Sequence, residues 1–103
     1  MKVISREKIQ FGFDAESEPV RRIESGEVVC FETQDCYAKQ IDVDGKDFYE
    51  LDMKRNNPVT GPLYVNEAEP GDLLKIEILN IIPEDYYSIH LVFKVSLDIA
   101  LPA

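Results

Sequence analysis

From Ile89 to Leu101 every odd-numbered residue is apolar: Ile89, Leu91, Phe93, Val95, Leu97, Ile99 and Leu101. Strict alternation over that distance fits a strand with one wet face and one dry face. The same period of two recurs elsewhere. In VVCFET, residues 28–33, Val29, Phe31 and Thr33 share one face, and Val28, Cys30 and Glu32 share the other. In LLKIEILNI, residues 73–81, Leu74, Ile76 and Ile78 form a common inward face, with Lys75 and Glu77 outward. Shorter candidates are PVRRI from Pro19, DFYEL at 47–51 after the hairpin signal Asp44–Gly45, and LYV at 63–65. No segment carries an apolar stripe at helical spacing. The expected fold is therefore all-β with little helix: an antiparallel β-sandwich or a distorted, jelly-roll-like barrel.

Two segments echo each other, ESGEVVCFE at 24–32 and EPGDLLKIE at 69–77. Each places a glycine in a tight turn, where positive φ carries no Cβ penalty, and then enters a strand. Aligned, Val29 matches Leu74 and Phe31 matches Ile76, so both copies are expected to bury the same face. The Ile89–Leu101 face is too long to leave open to water. It is expected to be covered within the sandwich, by a second copy in a homo-oligomer, or by a partner chain reached through the 89–101 strand.

The chain has 103 residues, one domain's worth, and 45% of them are hydrophobic, enough for a core. Its net charge of −9 disfavours nucleic acid and anionic membrane surfaces, which need basic patches. No apolar run is long enough for a signal peptide or a membrane span, which makes the cytoplasm the expected compartment. Cys30 and Cys36 lack metal-site spacing and read as two free thiols. With His90 as the sole histidine, a Cys–His nucleophile pair is not expected. Glu69 and Asp72 read as turn acids.

Residues 57–65, NPVTGPLYV, contain no charged side chain in a chain that is 30% charged. Asn57 precedes proline and is expected in extended geometry. Pro58 and Pro62 fix φ, Gly61 gives freedom between them, and the Thr60 hydroxyl can bond locally. Such a corner is either a plain strand connection or a rigid loop facing a substrate.

The run DMKRNNPVTGPLYVNEAEPGDLLKIEILNI closely resembles the NPVTGP-x-YV-x-x-AEPGD segment of the acetamidase/formamidase family. ESGEVVCFETQD resembles that family's G-x-x-V-x-F-E-T-x-D segment, in the same order and at compatible spacing. Together they span about residues 19–82. The resemblance implies a β-rich hydrolase, often oligomeric, that cuts short linear amides to a carboxylate and ammonia. It implies Glu32 and Asp35 as catalytic acids and Asn57, Thr60 and Gly61 at the substrate. It also implies a divalent metal, zinc or calcium, with Asp35 in its shell. Family chains are several-fold longer, and the motifs that complete the metal site lie past the position of residue 103. The segment after Pro83 departs from the family pattern. Two readings follow: a short amidase chain, or a non-catalytic β-module that self-assembles or completes a separate amidase chain.

Overall fold

The computed structural model describes residues 1–38, 40, 50–84 and 88–98. Among these residues eight strands run in chain order: β1 (Lys2–Ile4), β2 (Ile9–Gln10), β3 (Arg21–Ile23), β4 (Glu27–Glu32), β5 (Val59–Thr60), β6 (Leu63–Val65), β7 (Leu73–Pro83) and β8 (Ile89–Asp98). A 3-10 turn lies at Met53–Arg55, opened by the Asp52 carboxylate accepting from Lys54 N–H. The Asp44–Gly45 hairpin, most of the 47–51 strand, Ile99 and Leu101 lie outside the described residues.

The main sheet has the order β1-β4-β8-β7. Two ribbons flank it, β2-β5 and β3-β6. The expected all-β architecture with little helix is present, and pairing is mixed, not purely antiparallel: β1–β4 and β3–β6 are parallel. No barrel closes among the described residues. Alternation alone carries no information about strand direction. The parallel pairs arise because β1 and β3 approach their partners across long connections. Both echo turns have the expected glycine geometry, with Gly26 at φ 92° and Gly71 at φ 96°.

The core lies where β3 and β6 cover β4 and β8. Ile23, Val29, Val65 and Val95 are buried together, Ile23 and Val29 with no exposed surface. Phe31 packs its edge on Phe93 beside them, ring centroids 5.5 Å apart. Burial of one such aliphatic side chain contributes about 1.5–3 kcal/mol. On the outer side of the ribbon, the Arg22 guanidinium sits 4.3 Å from the Tyr64 ring centre, a cation–π contact across the parallel register.

The expected burial of Leu74, Ile76 and Ile78 is corrected. All three project toward the same face as Val29 and Phe31, but they remain exposed, Ile76 by 58% and Ile78 by 61%. The covering ribbon is only two strands wide, each three residues long, and its buried residues pack over β4 and β8. A bulge at Leu79 keeps the pattern in phase beyond it: Ile78 pairs with Phe93, Asn80 with Val92 and Ile81 with Leu91. One side of β7 is therefore apolar over its whole length, while Lys75 and Glu77 form an exposed ion pair on the other. Part of the 89–101 face is covered within the fold: Val95 is in the buried core, and Phe93 and Leu97 pack against it. β8 pairs with β4 on one side and β7 on the other, so its edges are taken, and β1 and β7 are the outer strands of the sheet. The radius of gyration is 16.0 Å, against about 13 Å for a compact chain of about 100 residues.

Candidate functional site

The two motif segments meet at one end of the main sheet. β4 ends at Glu32, whose carbonyl accepts the Thr60 hydroxyl at 2.7 Å. Four residues on, the Cys36 carbonyl accepts Asn57 N–H at 2.6 Å. The proline corner is thus fastened to the FETQD segment at two points. A third tie comes from the N-terminal segment: Gly61 N–H donates to the Lys8 carbonyl at 2.9 Å, and β2 pairs with β5 through Ile9 and Thr60. Asn57 is not extended as expected before proline. Its φ is 54°, a left-handed geometry that asparagine tolerates and that directs its N–H at Cys36.

A groove of about 310 Å³ opens beside the corner, lined by Phe31, Thr33, Pro58, Val59, Thr60, Leu91 and Phe93. Its two hydroxyls differ. Thr33 donates to the Ile89 carbonyl and accepts Ile89 N–H, so both of its roles are in use. Thr60 donates to Glu32, which leaves its oxygen lone pairs as acceptors for an incoming N–H.

Glu32 itself faces the other way. Side chains alternate along a strand, and Phe31 and Thr33 line the groove, so the Glu32 carboxylate lies on the opposite face. There it stands across the ladder from His90. His90 Nε2 is 3.3 Å from Glu32 and 3.0 Å from Glu84. Arg6 reaches into the same cluster: its guanidinium pairs with Glu84, bonds Ser88 Oγ at 2.8 Å and approaches His90 Nε2 at 3.1 Å. Its backbone N–H donates to Glu32 at 3.4 Å. The bond from Arg6 holds the Glu84 carboxyl below the usual glutamate range, aided by the charges of His90 and Arg6 and opposed by partial desolvation. Burial pushes the Cys30 thiol up, with the negative charges of Glu32 and Glu84 adding to it. Cys30 is buried and Cys36 exposed, both free.

Asp35 sits in the loop after β4, its carboxylate accepting Tyr37 N–H at 3.0 Å and its carbonyl accepting Ala38 N–H. No group of three or more His, Cys, Asp or Glu suited to a metal occurs among the described residues. Glu32, Glu84 and His90 do converge, but Arg6 supplies the positive charge at their centre. The described residues do not by themselves form a zinc or calcium site.

The family model for acetamidases and formamidases matches residues 5–96. The chain belongs to the acetamidase/formamidase family. Among solved structures it is similar to an acetamidase from Bacillus halodurans, 44% identical, TM-score 0.74, with 77% of this chain and 27% of that one covered. It is similar also to a recombinant protein from the thermophile Thermoanaerobacter tengcongensis described as a predicted acetamidase/formamidase. That match is 36% identical, TM-score 0.74, covering 79% of this chain and 27% of the other. A search of curated proteins finds no match. The chain spans about a quarter of the length of these acetamidase/formamidase relatives.

Within this family segment, sequence reasoning named Glu32, Asp35, Asn57, Thr60 and Gly61. It missed Arg6, Glu84 and Ser88, and it set His90 aside. The available signal was register: pairing Glu32 with His90 follows once β4 and β8 are set antiparallel. Arg6 and Glu84 lie 78 residues apart and carry no local pattern that joins them.

Proposed function

We propose that this chain is the β-portion of an amide hydrolase that acts on the C–N bond of short linear amides and releases ammonia. The observation that carries the reading is the double tie between the family's two motif segments, Thr60 to Glu32 and Asn57 to Cys36. Amide hydrolysis needs an activated water, a group that polarises the carbonyl, and an acid for the departing amine. In this reading Thr60 Oγ accepts from the amide nitrogen, Asn57 and Gly61 shape the corner, and the apolar groove wall takes the short acyl end. Asp35, near in chain to the Cys36–Asn57 tie, is the proposed acid; Glu32, whose carboxylate lies on the opposite face, contributes through its main-chain carbonyl, which accepts the Thr60 hydroxyl. Were a divalent metal, zinc or calcium, to be bound, Asp35 would be the donor this segment offers, and the metal would supply an activated water and a polarised carbonyl. Two free thiols fit a reducing, cytoplasmic setting.

A second reading, a β-module that completes a separate amidase chain, is favoured by the open apolar side of β7. Incubating the purified chain with formamide or acetamide, with and without added zinc, and measuring ammonia separates the two. Turnover by the chain alone defeats the module reading. No turnover leaves the chain as a part that needs its complement.

A further inference from the structure

One layer of the sandwich is half built. The main sheet presents a single apolar face formed by β4, β8 and β7, and a second groove of about 240 Å³ runs along it between Leu63 and Val65 of the ribbon and Leu74 and Ile76 of β7. The ribbon β3-β6 covers the β4 and β8 part. The β7 part, Leu74, Ile76, Ile78 and Ile81, is exposed. The bulge at Leu79 is what keeps Ile81 on this face, and a register device of that kind has a purpose only where the face is covered.

We infer that the groove side of β7 is the seat for an apolar layer supplied by the remaining part of the amidase fold, continuing the layer begun by β3 and β6. This rests on the family reading above and adds the surface through which the complement attaches. Three observations select this occupant. Most of each solved relative lies outside the part matched here, so the fold has material for a further layer. The open patch adjoins the ribbon without a gap, since Leu63, Val65, Leu74 and Ile76 line one groove. The four side chains expose on the order of 400 Å², about half of the ~800 Å² per partner that a stable interface between two copies buries. A polypeptide that touches the chain elsewhere as well can use so small a patch; two copies meeting on it alone cannot.

The test grafts this chain into the Bacillus halodurans acetamidase in place of its matched segment. Both the graft and the isolated chain carry Cys36→Ser and Ile76→Cys, and the rate of maleimide labelling of the new thiol is measured in each. Labelling at least tenfold slower in the graft than in the isolated chain is expected. A graft that melts cooperatively yet labels as fast as the isolated chain overturns the inference. So does an isolated chain that is dimeric by light scattering with its thiol already protected, since a second copy then holds the seat. If the graft does not fold, the relative's complementary part is co-expressed as a separate chain. Co-elution that Ile76→Glu with Ile78→Glu weakens at least tenfold supports the inference, and absent or unaffected co-elution overturns it. Ammonia release is scored separately: protection without turnover removes the amidase reading and keeps the docking surface, whereas turnover without protection does the reverse.

Discussion

Arg6 shows how much one side chain outside any motif can organise. It ties the turn after β1 to Glu84 and Ser88, and through them to the start of β8. Because folding lowers the Glu84 pKa, the stability it contributes is present above the ordinary glutamate value of about 4.3. That stability is lost as pH falls through the lowered value. Arg6→Met should therefore be less stable than the parent chain at pH 7, with the gap narrowing toward pH 3. Urea unfolding at the two pH values checks this, and an equal gap at both would contradict it. Thr60→Val removes one hydrogen bond to a main-chain carbonyl and should cost about 0.5–1.5 kcal/mol. The polar cluster was not legible in the sequence, because its members come from three distant segments and meet only through strand register.

At the scale of elements, alternation in the sequence located β4, β7 and β8, each long enough to show its period, and the short runs PVRRI and LYV beside prolines marked β3 and β6. β1, β2 and β5 escaped notice: two or three residues cannot display a period, and their partners lie far along the chain. Alternation also marked the apolar face of β7 correctly and said nothing about what lies over it. Burial belongs to the layer above, not to the strand. The difference is measurable. Ile23→Ala, at a fully buried position, should cost about 2–5 kcal/mol in denaturant unfolding. Ile76→Lys in the isolated chain should stay within about 0.5 kcal/mol of the parent. Comparable losses for the two would mean that β7 is already covered. Gly26→Ala forces a side chain to φ 92° and should cost roughly 1–2 kcal/mol, although nothing crowds the position.

For the whole molecule, the extents of 53 × 28 × 26 Å describe an elongated body whose long hairpin, β7 with β8, outruns the ribbon meant to cover it. The chain spans about a quarter of the length of its solved relatives, with its motif segments joined and the β7 side of the main sheet exposed. Among the described residues no helix is long and apolar enough to cross a membrane. The family motifs made the lineage readable; that Arg6 stands among Glu32, Glu84 and His90 became visible only in the structure. The most direct measurement is ammonia release from formamide by the folded graft and by the isolated chain, side by side. Release by the graft and none by the isolated chain is the predicted result; a folded graft without activity, or an isolated chain as active as the graft, would contradict the account.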